Sequence, residues 1–431
     1  MKKADYVIVG ANVAAVGAIE GIRRHDTRSS ILTISYETLG SYSRAMLAGY
    51  IEGKSSEWLE YRGKDYFARM GVDSLYGRKV TALNPEKTKL IIEGGEEVSY
   101  KKLLLAVGGV PFKPTINGSE NKELIFSFTE FSDAHKIKDA LPKFESVVVI
   151  GAGFTGTEIA YTLNNLNKKV SVVELGDRVL VKALDPRSSD IAESLMKDAG
   201  IEFYLNDTVE EIAGDREITG VKLKSGKFIP CQAVITAVGV VPNGALMNNT
   251  GLSFNRGLEV DEFMSTNIPG VYGAGDVVKA LDITDGQKRP LPLWPLAYQQ
   301  GIVAGSNMAG ANYPYIGGLP MNSLKFLKMP ILSAGITTPP DSSYKVVSID
   351  DPKTSFYRSL VIKDGSLKGF VTVGSIDGAG VLTGLIKNKI NIEDIKDILL
   401  QQRRIGLINL PKEWRNSFFT RRDETNYHDG F

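Results

Sequence analysis

Cysteine and histidine are scarce in this sequence. Cys231 is the one cysteine among 431 residues, so the chain cannot form an intramolecular disulfide. The three histidines, His25, His135 and His428, are far apart and match no zinc or haem spacing, so we expect no metal site. Because disulfides are typical of secreted domains, a single cysteine favours a reducing compartment, and we expect a cytoplasmic protein.

Excess charge and uninterrupted apolar segments are also missing. The 51 basic and 50 acidic residues leave a net charge of +1, which provides no overall field for nucleic acid or an acidic membrane. The uncharged runs 228–255 and 290–324 contain Pro, Gly and Asn, so neither is typical of a membrane span. The basic start Lys2-Lys3 is similar to a signal peptide, but Asp5 interrupts it and a strand–turn–helix fits better. We therefore expect a soluble protein.

Glycine, in contrast, is abundant. The 44 glycines cluster in apolar contexts, which is typical of tight turns and close backbone packing. A length of 431 residues exceeds one hydrophobic core and suggests about three domains. An apolar strand at Tyr6–Val9 is followed by a helix at Val13–Arg24 and a strand at Ile31–Ser35, and the same order restarts at Ser146. This repeat predicts an α/β fold with two parallel, Rossmann-like sheets.

The second copy contains an intact dinucleotide-binding fingerprint. Gly151, Gly153 and Gly156 have the spacing that permits a tight turn, approach of the backbone to a pyrophosphate, and packing of helix on strand. Glu174 ends the next strand 23 residues after Gly151 and can accept a hydrogen bond from a ribose 2′-hydroxyl. A carboxylate there would repel a 2′-phosphate, so NADH is favoured over NADPH. A glycine-rich turn without a ligand is the alternative.

The first copy has a degenerate fingerprint about 140 residues earlier. Gly10 is followed by Asn12 and Ala15 at the positions where the second and third glycines usually stand. Alanine can serve where the third glycine only permits packing, but Asn12 would hinder close backbone approach unless its φ and ψ are unusual. Glu37, just after the strand Ile31–Ser35, is the candidate ribose-binding acid. An ordinary surface glutamate is the alternative.

Six ordered segments carry a resemblance to a known family. They are VGAN near residue 10, SYSRAMLAGYIEG (41–53), LLLAVGGVPFKP from 103, VVVIGAGFTGTE from 147, AVGVVPN from 237 and GVYGAGDV (270–277). From about residue 4 to 400 the chain resembles the FAD-dependent pyridine nucleotide oxidoreductases of the glutathione-reductase-like two-Rossmann superfamily. The likeness is strongest to rubredoxin reductases, NADH oxidases and the flavin domains of NADH nitrite reductases.

The resemblance implies an α/β chain with two Rossmann-like domains, one for FAD and one for NAD(H), and a C-terminal α+β dimerisation domain. The FAD-binding domain would be discontinuous, comprising 1–110 and 242–315, and the NAD-binding domain would be 111–241. Residues 316–402 would form the dimerisation domain of a homodimer, and 403–431 a basic and aromatic tail.

The resemblance also implies roles for individual residues. Asp276 would hydrogen-bond the ribityl or phosphate part of the flavin, with a plain turn aspartate as the alternative. The Val80 backbone would meet adenine. Trp294 would open a helix that points at the isoalloxazine, unless it is simply a core residue. Glu158 would face the junction of flavin and nicotinamide, unless it only favours a helix N-terminus. Arg44 and Glu158 are the predicted catalytic residues. The full predicted cofactor-binding set is Gly10, Asn12, Val13, Ala14, Ala15, Glu37, Arg44, Val80, Ala106, Val107, Gly108, Gly151, Gly153, Phe154, Thr155, Gly156, Glu158, Glu174, Val238, Gly239, Gly275, Asp276, Leu293 and Trp294.

A redox cysteine is missing where disulfide reductases and NADH peroxidases of this superfamily need one. The matching stretch here reads Tyr42-Ser43-Arg44-Ala45-Met46. Cys231 precedes an apolar strand and is predicted to be a small buried hydrophobe rather than a reactive thiol. Hydroxyl groups and alanine cannot store electrons, so thiol–disulfide exchange and cysteine-based peroxide chemistry are disfavoured. The flavin would pass its electrons directly to an outside acceptor.

The C-terminal region has a different sequence pattern from the rest of the chain. The segment 355–374 alternates around a turn at Asp364-Gly365 and predicts antiparallel strands, and INIEDIKDILL (390–400) predicts a helix. The tail is basic and aromatic, with Arg403, Arg404, Lys412, Arg415, Arg421 and Arg422 against Glu413, and with Trp414, Phe418 and Phe419 between them. It either packs on a neighbouring subunit or domain or docks an acidic electron carrier. Nucleic-acid binding is a remote third interpretation.

These observations favour an NADH-dependent FAD oxidoreductase. It would pass electrons, in either direction, between NAD(H) and a small iron–sulfur protein of the ferredoxin or rubredoxin type. The alternatives are an NADH oxidase that reduces O₂ to peroxide and a non-catalytic flavoprotein dimer that binds NADH.

Overall fold

The computed structural model describes residues 2–120, 122–326, 329–402, 405–406, 410–412 and 414–415. Its described residues fall into two compact units, one within Met1–Val179 and Met196–Gly318, the other within Leu180–Leu195 and Leu319–Phe431. Among these residues no helix has the length and apolar composition that crossing a membrane requires, and no group of three or more His, Cys, Asp or Glu side chains could hold a metal ion.

The first unit begins with a parallel sheet that receives an antiparallel extension. Its elements are β1 (Lys2–Val9), α1 (Val13–His25), β2 (Ile31–Ile34), α2 (Leu47–Ile51), α3 (Ser56–Leu59), α4 (Tyr66–Arg69), β3 (Val72–Leu75), β4 (Val80–Asn84), β5 (Lys89–Ile92) and β6 (Glu96–Leu105). The strand order is β3-β2-β1-β6-β5-β4, parallel from β3 to β6 and antiparallel from β6 to β4. β1 and β2 are almost wholly buried toward their carboxyl ends, as expected for a sheet covered on both faces.

A second parallel sheet follows in the same unit. The elements of this part of the chain are β7 (Gly109–Pro111), β8 (Ile125–Ser127), α5 (Phe131–Ala140), β9 (Ser146–Ile150), α6 (Phe154–Asn165), β10 (Lys169–Val173), α7 (Pro186–Asp198), β11 (Glu202–Tyr204), β12 (Val209–Ala213), β13 (Gly220–Leu223), β14 (Phe228–Ile229), β15 (Ala233–Thr236) and β16 (Val240–Pro242). Most of α7, up to Leu195, belongs to the second unit. The strand order is β11-β10-β9-β15-β8, all parallel, and β12-β13-β14 form a separate antiparallel sheet. α6 ends at Asn165, and Asn167 beyond it has φ +62°.

The chain then returns to the first sheet. Its elements are β17 (Leu258–Glu259), β18 (Val271–Gly273), β19 (Val278–Leu281), β20 (Lys288–Arg289) and α8 (Trp294–Met308). β7 and β16 pair antiparallel where the chain leaves and re-enters, and β18 pairs parallel with β6. The α/β class with two Rossmann-like sheets is therefore confirmed.

The second unit is built on an antiparallel sheet. Its elements are β21 (Met321–Phe326), β22 (Met329–Gly335), β23 (Lys345–Asp351), β24 (Phe356–Lys363), β25 (Ser366–Val373), α9 (Ala379–Lys387) and α10 (Lys396–Gln401), in the strand order β21-β22-β25-β24-β23. The predicted turn is confirmed: Asp364 and Gly365 both have positive φ between antiparallel β24 and β25. The helix predicted over 390–400 is wrong in its first half, because the Ile392 N–H bonds the Gly365 carbonyl 2.8 Å away and draws the segment onto that hairpin.

Candidate functional site

The loop between β9 and α6 uses its three glycines differently. Gly151 has φ +104°, and a Cβ there would lie 2.6 Å from the Ala237 carbonyl oxygen. A Cβ on Gly156 would lie 1.9 Å from the Gly151 carbonyl oxygen, so this position is closed by packing. Gly153 has nothing within 4 Å of its Cβ position. The open glycine is the point where a pyrophosphate can approach the backbone at the helix N-terminus.

Glu174 lies beside this loop, directly after β10. One carboxylate oxygen accepts from the Ala152 N–H at 2.6 Å, and the other accepts from the Gly176 N–H at 2.7 Å. A carboxylate has about four lone-pair positions, so two remain for ribose hydroxyls. Arg178, the nearest arginine in sequence, forms an ion pair with Asp177 at 2.9 Å. The Glu174 carboxylate therefore keeps acceptor capacity for hydroxyl groups and carries a negative charge beside this loop.

The loop between β1 and α1 replaces the open glycine with a side chain. Asn12 is the N-cap of α1, and its φ of −92° is an ordinary extended conformation, so no unusual backbone relieves the side chain. Its Oδ1 accepts from the Val13 N–H at 2.8 Å, while Nδ2 is buried and has no partner among the described residues. Gly10 has φ +120°, and a Cβ there would lie 2.2 Å from the Ala106 carbonyl oxygen. The amide Nδ2 is therefore a free donor at the position of phosphate approach.

Two helices of the first unit cross at very short range. Cβ atoms on the four glycines at this crossing would lie 2.0–2.4 Å from carbonyl oxygens of the opposite helix, and these glycines are Gly17, Gly21, Gly301 and Gly305. None of these four glycines was predicted as a packing position, although GAIEG (17–21) and GIVAG (301–305) have the i, i+4 spacing that brings small residues onto one helix face. The crossing holds the N-terminus of α8 over the sheet that carries the Gly10 loop.

Several predicted residues meet at the carboxyl edge of the first sheet, because parallel strands end there together. Glu37 follows β2, Gly10 follows β1, Ala106, Val107 and Gly108 follow β6, and Gly275 and Asp276 follow β18. The Gly275 N–H donates to Gln300 Oε1 of α8 at 2.9 Å, which ties this turn to the helix. Burial raises the pKa of Asp276, and the charge of Arg44 opposes that rise.

Arg44 and Glu37 form a pair that the sequence did not predict. Arg44 Nη2 donates to Glu37 Oε1 at 2.8 Å, and Arg44 Nε is buried without a partner among the described residues. The predicted adenine contact, Val80, opens β4 close by, since the Arg78 N–H bonds the Ser35 carbonyl at 2.9 Å. The acid predicted to bind ribose is thus already held by a cation and keeps further lone pairs for a ligand.

Glu158 lies in the first half of α6, which contacts α2. Its pKa is raised to about 7, first by burial and then by the negative charge of Glu52 at the end of α2. A carboxyl group with this pKa can hold or release a proton near neutral pH.

Trp294 is the first residue of α8, which has no side-chain N-cap. Its ring stacks on Tyr298 with centroids 6.2 Å apart, and Tyr61 meets it edge-on at 5.1 Å. Trp294 Nε1 is buried and lacks a partner in the part of the chain described. The positive end of the helix dipole and this N–H both suit a group that becomes more negative on reduction.

The buried donors test whether the site fits a flavin nucleotide. Leaving a buried hydrogen-bond donor unpaired costs about 1–3 kcal/mol. Three such donors in the first unit are therefore unfavourable unless a polar ligand accepts hydrogen bonds from them. Asn12 Nδ2, Arg44 Nε and Trp294 Nε1 are these donors. They fit FAD, whose phosphates and ring system present acceptors. Next to the second glycine loop, Val238 is 39% exposed and Gly239 has φ +101°, so this turn stays open toward a ligand.

Cysteine chemistry has no place in this site. Cys231 is the only cysteine in the sequence. It is buried in the apolar core beneath the second sheet, and burial raises its pKa to about 12. The prediction of a small buried hydrophobe is confirmed.

Most of the basic tail lies outside the described residues, namely Arg403, Arg404, Glu413, Phe418, Phe419, Arg421 and Arg422. Of the described part, Trp414 is 8% exposed, and its ring lies 3.2 Å from the Cβ position of Gly384 in α9. That contact agrees with a packed tail for this residue.

Comparisons with known proteins agree with these features. A family model described as pyridine nucleotide-disulphide oxidoreductase matches residues 4–301, and one described as the C-terminal domain of rubredoxin NAD⁺ reductase matches 320–390. The epsilon subunit of NADH-dependent phenylglyoxylate dehydrogenase from Aromatoleum evansii is 28% identical over 414 residues, which cover 95% of this chain and 98% of that protein. The NAD(P)H nitrite reductase of Bacillus subtilis is 27% identical over 93% of this chain, but the chain spans only 49% of that protein, about half its length.

Among solved structures, a ferredoxin reductase from Rhodopseudomonas palustris is 25% identical, with a TM-score of 0.82, over 89% of this chain and 95% of that one. Because the first family match covers more than half of the sequence, the protein belongs to the pyridine nucleotide-disulphide oxidoreductase family, whose members bind FAD and NAD(H).

Proposed function

We propose that this NAD(H)-dependent flavin oxidoreductase transfers electrons between NAD(H) and a small iron–sulfur protein of the ferredoxin or rubredoxin type. The observation that carries the proposal is the absence of a redox cysteine, since the single Cys231 is buried with its pKa raised to about 12. Electrons on the flavin then have no thiol in the chain to which they can pass. A ferredoxin reductase and a rubredoxin reductase domain among the matches support this choice of acceptor.

We propose that residues 1–110 and 242–315 bind FAD and that 111–241 bind NADH. A bound FAD would supply the redox chemistry, because flavins can accept two electrons together and release them one at a time. The protein residues bind and orient the two nucleotides. Gly153 admits the pyrophosphate of NADH and Glu174 holds its ribose, while Asn12, Arg44 and Asp276 hold the flavin nucleotide. The N-terminus of α8 stabilises negative charge on the ring system.

Glu158 would hold a proton close to the nicotinamide. Its pKa near 7 lets the carboxyl be neutral in the free site, which avoids placing a second negative charge beside Glu52. Arg44 neutralises phosphate charge while it remains paired with Glu37. These two residues are the proposed catalytic pair, and both act by binding and electrostatics.

One experiment tests the acceptor. Holoenzyme reduced by NADH is offered ferredoxin, rubredoxin, O₂ and oxidised glutathione in parallel, and kcat/KM is measured for each. We expect one iron–sulfur protein to exceed the others by orders of magnitude. Fast reduction of glutathione would refute the argument from the missing cysteine, and O₂ as the best acceptor would make the protein an NADH oxidase.

A preliminary measurement distinguishes an enzyme from a flavoprotein that merely binds NADH. Anaerobic NADH should bleach the visible flavin band rapidly and completely. We also propose that 316–402 form the interface of a homodimer, which sedimentation of the purified holoenzyme would reveal as twice the mass of one chain.

A further inference from the structure

A buried tyrosine, Tyr42, links segments of the two parallel sheets of the first unit. Tyr42 follows the Glu37 loop of the first sheet and is 1% exposed. Its hydroxyl donates to Glu37 Oε2 and accepts from the Phe131 backbone N–H at 2.9 Å. Burial raises the pKa of Tyr42 well above its ordinary value, so the phenol keeps the proton that it donates.

The donor of the second hydrogen bond, the Phe131 N–H, lies at the carboxyl edge of the second sheet. Phe131 is the first residue of α5. The N–H groups in the first turn of a helix have no partner within the helix, so the Phe131 N–H is available to the Tyr42 hydroxyl. α5 begins four residues after β8 ends, and β8 runs parallel to β15 and β9. The first turn of α5 therefore lies at the same carboxyl edge as the Gly151 loop.

Aromatic packing reinforces the hydrogen bonds. The Tyr42 ring meets Phe131 edge-on with centroids 6.3 Å apart, and Tyr50 of α2 lies 4.9 Å from the same ring. A second tyrosine, Tyr36, also crosses between the sheets and donates to Glu130 Oε2 at 2.6 Å, but it is 44% exposed. The buried contact through Tyr42 is the one that water cannot replace.

We propose that Tyr42 is a positioning residue for hydride transfer: by joining Glu37 to the N-terminus of α5, it sets the distance between the nicotinamide and the flavin. Glu37 belongs to the proposed flavin site and α5 borders the NADH site, so the tyrosine hydroxyl bridges the two binding sites directly. The proposal rests on electron transfer from NADH to flavin and is independent of the final acceptor.

The test is Tyr42→Phe, which keeps the ring and removes both hydrogen bonds. A misplacement of about 1 Å can cost on the order of 100-fold in rate, so we expect flavin reduction by NADH to slow by about 10- to 100-fold in stopped flow. Among the described residues, the hydrogen bonds and ring contact of Tyr42 go to Glu37 and Phe131 and not to Glu174 or the Gly151 loop, so the Kd for NADH should stay unchanged. FAD content should also stay unchanged. Exchange of the Phe131 amide hydrogen should accelerate.

Tyr36→Phe is the matched control. It removes an exposed tyrosine hydrogen bond between the two sheets' segments and should leave the reduction rate unchanged. Equal rates for Tyr42→Phe and the wild type would overturn the proposal. So would loss of FAD or a weaker Kd for NADH with a normal rate at saturation, since either would place Tyr42 in binding rather than positioning.

A second pair of variants tests the proposal in case Tyr42→Phe folds poorly. Phe131→Pro removes the same N–H at the first helical position, where proline is favoured, and Glu130 before it is already extended. Phe131→Ala keeps the N–H and loses the same ring. NADH should reduce the flavin of the proline variant about 10-fold more slowly than that of the alanine variant. Equal flavin reduction rates in the two variants would overturn the proposal. A wild-type flavin that NADH cannot reduce would instead contradict the proposed function.

Discussion

Replacing Glu158 with glutamine should remove a pH dependence from the stability of the protein. The pKa of Glu158 is raised to about 7 in the folded chain, first by burial and then by Glu52, against an ordinary value of 4.5. A raised carboxyl pKa stabilises the fold fully below the unfolded value and loses that contribution as the pH rises through about 7. At about 1.4 kcal/mol for each pH unit, the loss amounts to at most about 3.5 kcal/mol.

The assay is urea unfolding of the FAD-loaded protein without NAD(H) at pH 5 and pH 8. Between these values the free energy of unfolding of the wild type should fall relative to Glu158→Gln, which resembles the neutral acid. Glu52→Gln is the control, because it removes the repelling charge and leaves the burial. It should make the wild-type dependence shallower without abolishing it. Parallel pH profiles for the wild type and Glu158→Gln, with a Glu158 carboxyl that titrates near 4.5 by infrared spectroscopy, would refute the reasoning.

Three further substitutions test other parts of the structure. Gly301→Ala places a Cβ 2.2 Å from the Ala14 carbonyl oxygen, so it should lower the free energy of unfolding by about 1–3 kcal/mol, whereas Gly380→Ala, with nothing within 4 Å, should not destabilise the protein. Glu174→Ala should raise the Kd for NADH by about 10- to 100-fold and discriminate less against NADPH; an unchanged Kd would remove Glu174 from the site. Cys231→Ala should keep the full kcat with the iron–sulfur acceptor, and loss of that activity alongside an intact fold would show that the thiol takes part in electron transfer.

The glycine loops could be predicted because their requirements are local. A tight turn, an open approach and a close packing position each restrict one residue, and the spacing of Gly151, Gly153 and Gly156 records all three. The loop after β1 was harder to predict, because Asn12 stands where the fingerprint has its second glycine. Its backbone conformation is ordinary, and its Nδ2 has no partner among the described residues.

The helix over 390–400 shows the limit of local pattern. Its apolar spacing predicts a helix, but Ile392 bonds a carbonyl of the β24–β25 turn, and only Lys396–Gln401 is helical. A hydrogen bond from another part of the chain outweighed the propensity of a short segment, which is common because isolated short helices are marginal.

The sequence alone predicts two glycine loops that match the nucleotide-binding fingerprint unequally, and it contains a single cysteine, Cys231, far from the stretch Tyr42–Met46. Both conclusions depend on residue type and short spacing. Only the tertiary structure decided that Glu37 is shared by Arg44 and Tyr42, and that Tyr42 reaches Phe131, 89 residues away along the chain. The physical reason is that these contacts depend on how two separately formed sheets pack together, and no spacing within one segment encodes that packing.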